Sequence, residues 1–537
     1  MRQRAARPTV SSMETFEFIV VGGGPVGLLL ACELRLRGAS VVVLEQRDTP
    51  DPTIKAATIG PLAGEMLERR GFAPQLRDAE RALFERMASM KRSTGGSPPA
   101  MPAAGAPVRG ILGHFAGLFL LDAAMQDEPA RRPVGADQQA VEAMLAARAA
   151  ELGVALRRGH ELVEFEPTDL GVTAETRTPA GTVILQARYL VGCDGGRSFV
   201  RKHAGFEFPG TPPTLTGYQA LVDLVDPEQL LPLGWRRTPR GMLAYGPVPG
   251  RILAVEFEGS PAQRDAPITL DELQGALRRV SGTDVTIRAI RTATRWTDNA
   301  RVATDYRRGR VLLAGDAAHV HSPFGGQGMN LGMGDAMNLG WKLAAALAGW
   351  APPGLLDSYS AERQPAALRV VDNTRAQVAL MRPDPQTSAL RELFTTLLGM
   401  APVNAYLGAM MRGLDVRYPI AGDHPLIGHP LGDLALVLAD GTAARSFDLC
   451  HDGRGLLIDL GAGLGARTPD LAALRDRLRV VEARCDQRPE LGGVLIRPDG
   501  YVAWAVDRSA GAAGVTGAAG PAAALATWFG AAAPAAP

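Results

Sequence analysis

Cysteine is nearly absent. Cys32, Cys193, Cys450 and Cys485 are the four in 537 residues, and none stands in CxxC or Cys/His spacing. That pattern offers no metal site and no disulfide framework, and it fits a reduced, cytoplasmic protein. Lysine is as scarce: of 57 basic residues, Lys55, Lys91, Lys202 and Lys342 are lysine and the rest arginine. Net charge is +1, with no basic stripe or acidic tail, so no nucleic-acid partner is expected. No apolar run reaches the roughly 18 residues of a membrane span, so no membrane partner is expected. The Arg-rich start lacks the apolar block of a secretory signal, and residues 1–15 read as a disordered tail, with Met13 as an alternative start. The length allows two or three domains.

Glycine, by contrast, is placed with purpose. Residues 16–21 (FEFIVV) form a buried-strand pattern, GGGPVG follows at 22–27, residues 28–37 read as an apolar helix, and a second strand at 40–44 ends at Glu45. This is a βαβ unit carrying a dinucleotide fingerprint. Gly22 permits the tight turn, Gly24 lets a pyrophosphate approach the backbone, and Gly27 lets helix and strand pack closely. Glu45, 18 residues after Gly27, is placed to accept from a ribose hydroxyl. An acidic residue there disfavours a 2′-phosphate, so the ligand is FAD or NAD. Pro25, Val26 and Gln46 belong to the same cofactor-binding unit.

A second glycine motif lies mid-chain. Residues 310–314 form a short apolar strand, Gly315 and Asp316 turn the chain, and a polar loop follows, with GGQG at 325–328. Helical periodicity then starts near Met329, through Leu331, Ala336, Leu339, Leu343 and Leu347. A helix start preceded by glycines offers free N–H donors and partial positive charge.

These two motifs, with CDGGRSFVR at 193–201 between them, resemble those of the FAD-dependent aromatic hydroxylases. These are single-component flavoprotein monooxygenases, and the likeness is to polyketide-tailoring members and their Baeyer–Villiger relatives. The resemblance implies that Asp316 meets the ribityl–pyrophosphate part of FAD, and that Pro323, Gly326, Gly328, Met329 and Asn330 lie against the isoalloxazine ring. Asp194 and Gly195, with Ser198 and Arg201, match a motif serving both FAD and the pyridine nucleotide. Gln138, four residues before Glu142, matches a glutamine that contacts FAD. Lys55 stands where the family has Arg, a departure that bears on flavin or substrate contacts. His114, in GHFAG at 113–117, matches a segment of hydroxylases acting on polyketide aromatics. The expected chemistry rests on the loop at Pro323, whose carbonyl lies near the oxygen-transfer position in relatives, with Lys55 and His114 as further catalytic candidates. Tyr359, Glu362, Arg363 and Pro365 match a YxxERxP segment read as structural.

The fold class implied is α/β: a Rossmann-like FAD-binding domain, an interleaved antiparallel-sheet substrate domain and a C-terminal thioredoxin-like domain. The FAD-binding domain takes residues 16–88, 137–204 and 301–400, the last including long helices. The substrate layer takes 89–136 and 205–300, and the third domain takes 421–530. Tyr218, Trp235, Tyr245, Phe257 and Trp296 are candidates to line the sheet roof. Cys450 lacks a CxxC partner, so the third domain is not expected to be redox-active. Expected cofactors and co-substrates are FAD, NADPH or NADH as a transient reductant, and O2. The expected substrate is a polycyclic aromatic small molecule, and a homodimer is compatible with the sequence. In such enzymes oxygen adds to reduced flavin as a C4a-peroxide and one atom passes to substrate. Hydroxylation is the leading expectation. Baeyer–Villiger insertion, a flavin dehydrogenase or oxidase, and a flavin-binding scaffold remain as alternatives.

Overall fold

The computed structural model describes residues 13–53, 56, 58–93, 110–246, 248–259, 266–468, 471–510 and 520–530. Lys55 lies outside them, as does most of the loop expected before residue 110. The first part of that stretch belongs to a helix, Ala73–Ser93, and a hairpin, Ile111–Phe115 with Leu118–Asp122, follows the gap.

Three distant segments build the main sheet. Phe18–Val21 pairs in parallel with Val41–Glu45 and with Tyr189–Gly192, which pairs in parallel with Val311–Leu313. These strands are apolar on both faces because helices cover both. The helix Pro25–Arg35 packs on the central helix Gly328–Leu347. Their approach needs Gly340, where a Cβ would lie 2.5 Å from the Glu33 Cβ.

Residues 1–15 are not wholly a tail. Met13–Thr15 is a strand paired in parallel with Gly181–Ala187, and Glu14 accepts from Arg157 Nη1 at 2.9 Å. The sheet edge supplies backbone partners that a local sequence pattern does not reveal.

A second sheet is antiparallel, ordered Gly234–Thr238, Gly241–Tyr245, Arg251–Glu256, Thr216–Leu224 and Ile287–Thr297. Successive side chains alternate faces. Tyr218, Ala220, Tyr245, Ile252 and Ala254 pack with Leu273, Ala276 and Leu277 of the helix Leu270–Ser281. Trp235, Ala244, Leu253, Gln219 and Thr294 are consecutive cross-strand neighbours on the other face. The sheet thus has one core face and one face left for a ligand.

The C-terminal sheet is mixed. Gly455–Asp459 is parallel to Leu478–Arg484 and antiparallel to Leu491–Ile496. It is fastened to the rest by charges sunk in the interface. Glu362 accepts from Lys342 Nζ at 2.7 Å and from both terminal nitrogens of Arg497 at 2.6 and 2.8 Å, and Arg497 also pairs with Asp499. Lys342, one of the four lysines, is fully buried. Burial lowers its amine to about 8, opposed by the Glu362 charge. Arg70 joins Glu33 to the carbonyls of Cys450 and Pro498. Among the described residues no single helix is long and apolar enough to cross a membrane, and no His, Cys, Asp and Glu cluster could hold a metal ion.

Candidate active site

The first glycine loop divides into packing and open positions. A Cβ on Gly22 would lie 2.3 Å from the Cys193 carbonyl oxygen, and one on Gly27 2.0 Å from that of Gly22. Gly22 also has φ +110°, a conformation costly for any residue with a Cβ. Gly24 differs: its φ of −80° suits any residue, and a Cβ there meets nothing within 4 Å. Gly24, Pro25 and Val26 line a large cavity, whereas Gln46 is exposed and does not. Glu45 works on the loop itself, accepting the Gly23 N–H at 2.8 Å and the Arg47 N–H at 2.9 Å.

Beneath the Gly315 turn sits a buried ion cluster. Asp335 accepts from the Gly315 N–H at 2.9 Å, from His319 Nε2 at 2.7 Å and from Arg363 Nε at 2.7 Å. Arg363 and His319 hold its carboxyl below the usual range against the cost of burial. Tyr359 donates to the Leu313 carbonyl at 2.7 Å. Tyr359, Glu362 and Arg363 are therefore anchors, as their motif suggested. Asp316 is left facing the cavity.

The loop after it is braced from behind. The Pro323 carbonyl accepts the Gly326 N–H at 3.0 Å, so it closes the loop's own turn. Gln327 donates to the Met410 carbonyl at 2.9 Å and accepts from Asn373 at 2.6 Å. Asn330 accepts the Gly60 N–H and donates to the Gly326 carbonyl, each at 2.7 Å, so its side chain ties the loop and does not line the cavity. The first N–H bond of the central helix runs from Leu331 to Gln327. The N–H groups of Gly328, Met329 and Asn330 precede it and form the electropositive helix end.

One cavity of about 1290 Å³ joins these parts. It collects Gly24, Pro25, Val26, His114, Gln138, Gly195, Asp316, Pro323, Gly326, Gly328 and Met329 from the predicted set. The Asp194 carboxylate accepts from Ser198 Oγ at 2.6 Å and the Val200 N–H at 3.0 Å at the start of the next helix, and it is Gly195 beside it that lines the cavity. Of the roof aromatics, Trp235 and Trp296 line it, while Tyr218 and Tyr245 face the opposite side of their sheet and Phe257 packs in the core beneath. Strand parity separates them.

His114 stacks against Phe119 and Trp235, with centroids 4.9 and 5.3 Å away. Its Nδ1 accepts the Gly117 N–H at 3.3 Å, which leaves the proton on Nε2. Burial lowers its pKa from 6.5 to about 4, so the ring is neutral at physiological pH. The neutral ring's contribution to stability is full above 6.5 and is lost as pH falls from there to about 4. The expected pH profile of kcat/KM therefore has no limb from His114 between about pH 5 and 8. His114→Asn keeps a donor and should stay within a few-fold of wild type, whereas His114→Phe should lose about tenfold or more. Equal activity of both variants would remove His114 from the site.

A FAD binding domain family matches residues 15–374, and an aromatic-ring hydroxylase C-terminal family matches residues 424–532. The chain belongs to the FAD-dependent aromatic-ring hydroxylases. It is 40% identical over 534 residues to a 12-dehydrotetracycline 5-monooxygenase/anhydrotetracycline 6-monooxygenase of Streptomyces rimosus, covering 96% of this chain and 99% of that one. It is 38% identical to a dialkyldecalin synthase of Streptomyces rugosporus, covering 96% and 99%. The structure of an anhydrotetracycline hydroxylase from Streptomyces rimosus superposes with a TM-score of 0.80 at 38% identity, over 96% and 99% of the two chains.

This hydroxylase fits FAD on its own geometry. Gly24 opens onto free space, and among the described residues the first N–H groups of the central helix and the buried His321 Nε2 have no partner. His321 Nδ1 donates to the Ser322 carbonyl at 2.7 Å, so Nε2 is an acceptor turned to the start of the central helix, 3.6 Å from where a Gly328 Cβ would be. Sequence reasoning missed His321, Phe324, Gln219, Thr294, Gln126 and Arg412, which also line the cavity. Strand parity from Trp235 would have found Gln219 and Thr294. No local pattern marks Gln126 or Arg412.

Proposed function

We propose that this hydroxylase inserts one atom of O2 into a polycyclic aromatic, polyketide-type substrate, with NADPH or NADH as transient reductant. The observation that carries this is the single cavity of about 1290 Å³, in which the glycine loop, the central helix start and an aromatic sheet face meet. One small-ligand site usually takes about 300–1,000 Å³, so this space suits a flavin and a fused-ring ligand together. The anhydrotetracycline monooxygenases among its relatives support the substrate class.

The redox chemistry, hydride acceptance and O2 activation, is what a bound FAD supplies. The chain's own residues orient and enclose. Gly24 gives the pyrophosphate access to the backbone. Gln138 and Asp316, on the cavity wall, would hold the cofactor. The N–H groups at Gly328 and Met329 would stabilise negative charge on a flavin ring held in the cavity. Phe119, Trp235, Trp296 and Phe324 exclude water and present ring faces to an aromatic substrate. His114 donates from Nε2 to a substrate oxygen. The mixed order of the C-terminal sheet supports a thioredoxin-like domain, and burial pushes its Cys450 thiol up, as suits a packing role. Hydroxylation is the first reading, and Baeyer–Villiger insertion uses the same parts.

Turnover of anhydrotetracycline and related tricyclic and tetracyclic quinones under oxygen-18 should give products two mass units heavier than those made under ordinary O2. Identical masses would overturn oxygen insertion. They would favour the second reading, a flavin-loaded cyclase, which the 38% identical dialkyldecalin synthase brings forward.

A further inference from the structure

Among the described residues six arginines expose less than a tenth of their surface: Arg69, Arg70, Arg201, Arg363, Arg412 and Arg497. Burying a guanidinium is costly unless an opposite charge or a π-face receives it. Arg70 meets Glu33, Arg363 meets Asp335, and Arg497 meets Glu362 and Asp499. Arg69 and Arg201 lie over Phe447 and Phe208, each 3.9 Å from ring centre to guanidinium carbon. Arg412 has no direct ion pair and no aromatic face among the described residues, and feels Glu128 and Asp127 only at longer range. Its Nε donates to the Gly408 carbonyl at 3.0 Å, its Nη1 to the carbonyls of Glu128 and Arg131 at 2.9 and 3.0 Å, and its Nη2 to Gln126 Oε1 at 2.8 Å. All four acceptors are neutral, and the fifth N–H, on Nη2, is unclaimed. Of the two acids that act on it, Glu128 has its carboxylate on Arg131 Nη1 at 2.9 Å.

Arg412, Gln126 and Gly408 all line the cavity. The group is held rigidly. Gln126 Nε2 donates to Asn404 Oδ1 at 2.8 Å, which aims its Oε1 at Arg412. A Cβ at Gly408 would sit 2.0 Å from that Oε1, so glycine is required for the approach. A fixed, desolvated cation with a spare donor in a ligand cavity is suited to an anionic oxygen.

We propose that Arg412, positioned by Gln126, binds an anionic oxygen of the substrate, the phenolate or enolate of a hydroxylated polycyclic ring. Arg412 is thus a specificity residue that selects acidic, enolisable substrates over their alkylated counterparts. The inference rests on the reading of this cavity as a polycyclic-substrate site. A reduced flavin could offer the same anionic chemistry, so the test separates the two sources.

The test uses FAD-loaded protein and two probes, 1,2-dihydroxyanthraquinone and its dimethyl ether, followed by fluorescence quenching across pH. Wild type should prefer the ionisable probe, increasingly as its phenol deprotonates. Arg412→Gln should weaken that probe by about tenfold or more and the ether by less than about twofold, with flavin content and reduction potential unchanged. Arg412→Lys should recover part of the preference. Equal weakening of both probes would overturn the proposal in favour of a structural role. A shifted flavin potential or lost FAD would assign the donor to the cofactor. Failure of FAD-loaded wild type to bind either probe would instead overturn the polycyclic reading itself. If the variants do not fold, a wild type with no preference for the ionisable probe still overturns the proposal.

Discussion

A Gly24→Val variant is expected to fold normally and to emerge from purification colourless. The backbone there is extended, φ −80° and ψ −178°, and accepts valine without strain. The added Cβ enters open space, with nothing within 4 Å, which leaves room for the branch beyond it. Gly24 is the N-cap of its helix with no side-chain cap bond, so the substitution costs folding at most about 1 kcal/mol. The space it fills is where a dinucleotide must touch the loop. Displacing it should weaken FAD by about 100-fold or more, roughly 3 kcal/mol. Gly22→Ala and Gly27→Ala, whose Cβ atoms would strike backbone oxygens at 2.3 and 2.0 Å, should fail earlier, in folding. Circular dichroism and a flavin titration on the three variants separate the two failures. A Gly24→Val protein that keeps its FAD would show that the cofactor lies elsewhere.

Asp335→Ala should be the most destabilising single change in the flavin-binding core. Asp335 is fully buried and serves the His319 ring, the Arg363 guanidinium and the Gly315 N–H at once. Its loss strands Arg363, which donates otherwise to the Leu331 carbonyl and the Tyr418 hydroxyl. Leaving a buried charge without its partner costs about 3–5 kcal/mol, a large part of the roughly 5–15 kcal/mol that holds a domain together. Replacing the pair together, Asp335→Leu with Arg363→Met, should restore much of that stability, because the isolated charge is then gone. FAD binding should remain weaker in the double variant, since the Gly315 turn has lost its acceptor. Urea denaturation checks both statements, and a loss below about 1 kcal/mol in the single variant would refute the account.

Much of this site was legible in the chain. A strand, a glycine turn and a helix in immediate succession are local events, set by the conformations glycine permits and by apolar periodicity, so the loop at 22–27 and the turn at 315–316 could be read from residue order. Resemblance then supplied the cofactor and the family. For Asp194, Asn330 and Glu45 it left one thing open, because a motif records which residues recur and not whether each touches the ligand or holds the loop that does. In the structure each of these three side chains accepts a backbone N–H, and Asp194 accepts the Ser198 hydroxyl as well. Distance hid Arg412. Its neighbours Gln126, Glu128 and Arg131 lie more than 280 residues away in sequence, and no spacing rule reaches that far. Which face of a strand, and which of many arginines, meets the ligand depends on side-chain direction and on long-range packing. Local sequence determined the binding loops of this hydroxylase, and tertiary structure alone decided what surrounds the substrate.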